Sequence, residues 1–252
     1  MIETIKSLST TLFYQPLFNL LFFFISILPG ENLAAGIIGL TVVVRLMLVP
    51  SSARALRAQR ELTALQPEIN NLRADYKDKP EELNRQMLAL YQKHNVNPFG
   101  SCLPILIQLP ILLILYRVVL NGIHPDNFNL LYSFVPTPTA LETMFLGISL
   151  EAPSLILGLI AGGLQFLQTW QMLRGRVKTK STDPTTEATE QIGQRMTYLM
   201  PLLTVFISST LPAALALYWV VTTLFSVIQQ SWLLRVHPEI AKPHVAVRIK
   251  KK

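Results

Sequence analysis

The sequence predicts an all-α integral membrane protein with five transmembrane helices, a cytoplasmic helical hairpin and an N-terminal interfacial helix. Three observations lead there. Half of the 252 residues are hydrophobic, and they come in long runs rather than in the periodic patterns of a soluble core. The basic residues are segregated into a few segments between those runs. The longest polar stretch repeats its apolar residues at helical spacing.

Taken in chain order, residues 1–32 hold an apolar stretch, 11–28, in which Gln15, Asn19 and Ser26 fall on one helical stripe. The favoured reading is a helix lying on the outer surface of the membrane; the other is a sixth span, which would move the N-terminus inside. Lys6 is the one basic residue ahead of this stretch and no small-residue cleavage site follows it, so neither a cleaved signal nor a lipid anchor is expected. Span one is placed at 33–50, span two at 101–120 and span three at 153–170. The apolar region 197–233 is too long for one crossing, since about 20 residues suffice. Pro212, following Ser208, Ser209 and Thr210, divides it into span four at 197–209 and span five at 213–233. Three connecting segments, 51–98, 121–152 and 171–196, and a tail, 234–252, complete the chain.

Charge gives the direction. Eight of the 22 Lys and Arg lie between residues 51 and 98, five between 171 and 198, and six between 235 and 252. The loop 121–152 and the turn 208–213 carry none. Because Lys and Arg favour the cytoplasmic side, the basic segments are cytoplasmic, the N-terminus is outside and the C-terminus inside. An odd number of spans satisfies all three assignments. The net charge of +7 therefore reflects topology and is no sign of DNA binding; what remains suits anionic lipid or ribosomal RNA.

In the segment 51–98, Leu65, Ile69, Leu72 and Tyr76 repeat at intervals of 4, 3 and 4, and Leu83, Met87 and Leu90 at 4 and 3. Lys77-Asp78-Lys79-Pro80-Glu81-Glu82 reads as a turn, with a proline and two acids opening the next helix. Two antiparallel helices zipped along one seam result. A solvated connector is the plain alternative, but a hairpin this long is not needed to join two adjacent spans. Residues 174–195 mix Thr, Ser, Lys and Glu and read as flexible. The tail ends Arg248-Ile249-Lys250-Lys251-Lys252, which suits lipid headgroups or a ribosome.

Polar residues within the spans are the candidate functional groups, because each is expensive there. All 15 Asp and Glu and all four His fall outside, which argues against a proton-coupled pump or transporter. Arg117, five residues before Gly122, can snorkel to the outer headgroups. Arg45 lies between Thr41-Val42-Val43-Val44 and Leu46-Met47-Leu48-Val49-Pro50, about 7 Å from the inner end of its helix. It either snorkels or, with no acid in any span, finds water, backbone carbonyls or a foreign anion. In the last span Trp219, Thr222, Thr223, Ser226 and Gln230 share a face. Ser101, Pro104 and Gln108 share one in the second span, and Gly158, Ala161, Gly162, Gln165 and Gln168 in the third. Helix packing explains Gly158 and Gly162 well, and the five-residue polar stripe less well. Cys102 alone permits neither a disulfide nor a thiolate cluster and suits a small buried position. No phosphate loop, nucleophile–base pair or metal-spaced His or Cys cluster occurs, so neither a cofactor nor an enzymatic step is expected.

These residues resemble the YidC/Oxa family of membrane protein insertases over roughly residues 12–234. The most specific segments are Val44-Arg45-Leu46 through Pro50, Asn97-Pro98-Phe99-Gly100-Ser101-Cys102-Leu103-Pro104-Ile105-Leu106-Ile107-Gln108-Leu109-Pro110, Leu211-Pro212-Ala213 through Leu217-Tyr218-Trp219, and Gln229-Gln230. They occur in the family's order, with a charged hairpin between the first two. The resemblance implies five spans around a hydrophilic groove open to the cytoplasm and to lipid. It implies that Arg45 and Gln108 line that groove, that Trp219 lies beside the substrate path, and that the hairpin recruits substrate. Thr222, Thr223, Ser226 and Gln165 join the candidate groove through their polar faces. Implied partners are nascent membrane proteins, the Sec translocon, the ribosome and membrane lipids, in a bacterial plasma membrane. Two rival readings remain: a small anion channel or carrier using Arg45 and Arg117, and an assembly subunit in which Arg45 and the polar stripes are dispensable.

Overall fold

The protein is described by a computed structural model covering residues 10–27, 30–97, 103–121, 125–138, 141–173 and 198–237. Ser101, Cys102, the segment 174–195 and the tail beyond His237 lie outside the described residues. The helices are α1 (Gln15–Ile27), α2 (Leu33–Met47), α3 (Val49–Ala64), α4 (Gln66–Asp75), α5 (Pro80–Lys93), α6 (Leu103–Asn121), α7 (Leu155–Leu173), α8 (Tyr198–Thr210) and α9 (Ala213–Val236). A short hairpin of β1 (Met144–Phe145) and β2 (Ile148–Ser149) pairs Met144 with Ser149 and Phe145 with Ile148. Two compact units emerge: Met1–Leu48 with Ile105–Phe166 and Pro201–Ser226, and Val49–Pro104 with Leu167–Met200 and Val227–Lys252.

In the first unit the core is built on α1, α2, α6 and the start of α9. Asn32 caps α2, its Oδ1 accepting from the amides of Ala34 at 2.8 Å and Ala35 at 3.4 Å. Glycine sets the approach of α1: a Cβ added at Gly36 would come within 2.5 Å of Ile25 Cγ1, and one at Gly39 would overlap the Phe24 ring. Six consecutive residues, Ala213 to Tyr218, are buried where α9 enters this core. Its first amides are not left orphaned. Ala213 N donates to the Ala152 carbonyl and Ala214 N to that of Leu150, each at 2.9 Å. The same segment reaches α2, with Leu33 N donating to the Glu142 carbonyl at 2.9 Å and Asn32 Nδ2 to that of Met144 at 3.1 Å. The loop thus closes the N-terminal ends of two helices at once, and Gly147, at φ +80°, supplies its tight turn.

The polar stripe of α1 is spent on protein, not on water. Asn19 is buried; its Nδ2 donates to the carbonyls of Gln15 and Leu130, both at 2.8 Å, and its Oδ1 accepts from Tyr132 N at 2.6 Å. Gln15 Nε2 donates to the same Leu130 carbonyl at 3.1 Å. Ser26 Oγ bonds back to Phe22 and Phe23. Replacing Asn19 by Leu keeps the volume but leaves the Tyr132 amide without its acceptor. The expected cost is roughly 2–3 kcal/mol, read as a lower unfolding temperature in detergent, with Ser26→Ala close to the parent.

In the second unit, Leu65, Ile69, Leu90 and Val96 are buried together, with Leu62, Leu72, Met87 and Tyr91 against them. Tyr76 and Leu83, the seam positions nearest the turn, are only half-buried. The seam expected between two helices is thus densest at the far end from Asp78. Across it, His94 Nε2 lies 3.7 Å from Glu68 Oε2. The first half of the arm is two helices and not one. Pro67, in the first turn of α4, has no N–H for the Thr63 carbonyl, and the chain breaks at Leu65.

Helix ends follow local chemistry as well. Ser154 starts α7, its Oγ accepting from Leu157 N at 3.4 Å. The helix therefore begins at Leu155 and not at 153, and it runs on to Leu173. α9 continues to Val236, three residues beyond the expected 233, with Leu233 buried and Pro238 the next breaker. At 24 residues, α9 is long and apolar enough to cross a membrane. Leu224, Ile228 and Trp232 stand exposed along one side of it, as do Leu199, Leu202, Leu203 and Phe206 on α8. So much exposed apolar surface on helices calls for lipid as the solvent.

Candidate functional site

Arg45 occupies the last turn of α2, where a cation also suits the helix dipole. It is half-buried, and its Nη2 donates to Gln108 Oε1 on α6 at 3.1 Å. Pro110 lies within the same helix and removes the N–H that the Leu106 carbonyl would otherwise receive. A backbone acceptor is thereby freed close to Gln108. The hydroxyl of Tyr218, itself buried on α9, interacts electrostatically with Arg45 and lies beside Thr222. Among the described residues no carboxylate pairs with Arg45. The site is one positive charge held by neutral partners.

The remaining predicted residues take different places in the same unit. Thr222 and Thr223 are buried, and Ser226 is half-buried with its hydroxyl spent on the Thr222 carbonyl at 2.9 Å. Trp219 and Gln165 are half-buried and make no side-chain hydrogen bond to a described residue. The structure therefore joins Arg45 to Gln108 by a hydrogen bond and sets the neutral Tyr218 hydroxyl near it. It does not link Trp219, Thr223, Ser226 or Gln165 to them by hydrogen bonds. Gln230 is buried with its Nε2 unpartnered among the described residues. Arg117 is not a second member of this site's hydrogen bonding; its guanidinium lies 5.7 Å over the Tyr14 ring. Gly158 and Gly162 serve close packing on α8: a Cβ at Gly158 would meet the Val205 carbonyl and Ser209 at 3.2 Å. Among the described residues no group of three His, Cys, Asp or Glu side chains is placed to hold a metal.

Tyr218 is the residue that the sequence reading left out of the site. Its signal was present: it stands four residues before Thr222, so starting the polar stripe one position earlier than Trp219 would have included it.

The profile of a family described as 60Kd inner membrane protein matches residues 23–240. The chain belongs to this family. The chain is similar to the membrane protein insertase YidC of Fusobacterium nucleatum, 31% identical over 81% of this chain and 87% of that protein. The insertase MisCA of Bacillus subtilis is 32% identical over 87% of this chain and 76% of its own. A much longer YidC, from Caulobacter vibrioides, is 31% identical over 88% of this chain but only 36% of its own length. The resemblance to YidC-type insertases read from the motifs is therefore correct. The family's members act as membrane insertases and not as enzymes, and this chain is a helical membrane protein among them.

Proposed function

We propose that the protein is a membrane protein insertase that moves short polar flanks of substrates across the bilayer through a hydrophilic groove and releases their apolar segments sideways into lipid. The single observation that carries this is Arg45: a guanidinium in an apolar helix, held by Gln108 and free of any described carboxylate. In this reading five helices, α2, α6, α7, α8 and α9, cross the membrane, and α1 lies at its outer face. The basic segments and the C-terminus face the cytoplasm of a bacterial plasma membrane. Arg45, Gln108, Gln165, Trp219, Thr222, Thr223 and Ser226 line the substrate path. An unsatisfied polar group in hydrocarbon costs several kcal/mol, and a hydrated path partway across removes much of that barrier. The charge on Arg45 draws acidic residues of the translocated flank inward. The helical arm recruits nascent membrane proteins, with the Sec translocon, the ribosome and lipid headgroups as further contacts. Relatives named insertases, at about a third identity over most of the chain, support this class over an anion carrier.

The test is reconstitution into liposomes with a short single-span substrate bearing an acidic tail, scored by protease protection. Insertion above that of empty liposomes is expected. Shortening the arm symmetrically around Asp78 should lower it several-fold while the protein stays membrane-embedded. Unchanged insertion would reduce residues 51–98 to a connector.

A further inference from the structure

Among the basic residues of the arm, Arg60 stands apart. Arg54 and Arg57, on the same helix, are exposed, whereas Arg60 is 9% exposed. A buried guanidinium needs partners, and the structure supplies one from another helix. Its Nη2 donates at 2.9 Å to the backbone carbonyl of Gln171, in the last turn of α7. Arg60 therefore ties α3 to α7. The contact continues into a third helix. Gln171 Nε2 donates to Ser231 Oγ on α9 at 2.9 Å, and Ser231 in turn bonds the Val227 carbonyl at 2.8 Å. A second tie joins the same helices, with Gln229 Nε2 donating to the Val49 carbonyl, where α3 begins, at 3.3 Å.

We propose that Arg60, Gln171 and Ser231 form a polar clasp that fixes the base of the arm to the ends of α7 and α9, and that capture of substrate by the arm depends on it. Arg60 is here a positioning residue: it acts through α3 and touches no substrate. The inference rests on the reading of the arm as a recruiting element. The hairpin beyond it has its own core at Leu65, Ile69 and Leu90. Losing the clasp should therefore loosen α3 while leaving α4 and α5 zipped together.

The full chain is reconstituted in vesicles of phosphatidylethanolamine and phosphatidylglycerol, and insertion is followed against substrate concentration. In Arg60→Ala the half-saturating concentration should rise about fivefold with the maximal rate kept, because capture and not the insertion step is weakened. Hydrogen exchange should quicken across 49–64 and stay unchanged across 80–93. Arg60→Lys, which can still donate to the Gln171 carbonyl, should lie within about twofold of the parent. Arg57→Ala should match the parent. Parent-like capture in Arg60→Ala, faster exchange without a capture defect, or an equal fall in maximal rate in Arg60→Ala and Arg60→Lys would each overturn the clasp. Should Arg60→Ala fail to embed, Ser231→Ala decides, with a roughly twofold rise expected and parent behaviour overturning the proposal. A parent chain that inserts no better than empty vesicles would instead defeat the insertase reading itself.

Discussion

Gly162→Ala is expected to destabilise the protein by roughly 2–3 kcal/mol, a large effect for one methyl group. A Cβ at this position would overlap Val205 Cγ2 on α8 and stand 3.0 Å from the Pro201 carbonyl oxygen. Valine has a single comfortable rotamer in a helix, so it cannot swing aside cheaply, and the carbonyl belongs to the backbone. Helices in lipid gain little from hydrophobic association and depend on close packing at small residues, so forced separation of α7 from α8 forfeits what holds them. The partner variant Val205→Ala removes the overlapped group. Gly162→Ala with Val205→Ala should recover most of the loss, a coupling that a double-mutant cycle isolates. Gly163, the next residue, meets nothing within 4 Å, so Gly163→Ala should be neutral or slightly stabilising through better helix propensity. Unfolding temperature in detergent reads the parent and all four variants. Equal effects at Gly162 and Gly163 would mean that helix propensity, and not the α7–α8 contact, governs this stretch.

Features written in short-range chemistry were legible in the sequence. Helical, membrane-embedded character follows from run length, and the family follows from motifs such as Val44-Arg45-Leu46 and Leu217-Tyr218-Trp219, which fall within the matched residues 23–240. Pro212 marks the break between α8 and α9 because proline cannot continue the first helix, while the first amides of the second go to the Ala152 and Leu150 carbonyls. Pro67 carries the same signal, yet the 4, 3, 4 apolar spacing from Leu65 to Tyr76 masked it. Side-chain periodicity does not register a missing backbone N–H.

Features that depend on distant backbone were not legible. Gln15 and Asn19 have the spacing of a wetted stripe, but their partners at Leu130 and Tyr132 are more than a hundred residues away. A periodic pattern gives the side of a helix on which polarity lies and not what meets it. Arg60 shows the same limit. Counted with its neighbours it is one more basic residue of a solvated segment, whereas in the fold it is buried and donates to the distant Gln171 carbonyl. Desolvation there pulls its guanidinium below the ordinary arginine range. Gln108 entered the candidate groove through the family resemblance, and Arg45 because arginine is rare in apolar runs. Tyr218 was passed over because tyrosine is not.

Arg45→Ala should reduce insertion of substrates with acidic translocated tails about tenfold and leave neutral-tailed substrates nearly unaffected. The size follows from Coulomb attraction: at an effective dielectric near 20, unit charges about 10 Å apart attract by roughly 1.7 kcal/mol, slightly more than the 1.4 that makes a factor of ten. Arg45→Lys should keep most of the activity. An ammonium supplies the charge and can still donate to Gln108 Oε1, the hydrogen-bond partner that the guanidinium has among the described residues. The planar fork of arginine would be irreplaceable only if a fixed carboxylate had to be gripped at two points, and a path for many substrates cannot hold one carboxylate in one place. Salt separates charge attraction from packing: the preference for acidic tails should shrink as ionic strength rises wherever the path is open to water, whereas a packing defect in Arg45→Ala would not respond. Paired substrates differing only in tail acids, inserted by the parent and both variants at low and high salt, give the comparison. Equal loss for acidic and neutral tails would assign Arg45 to hydration or packing of the site and refute attraction as its role.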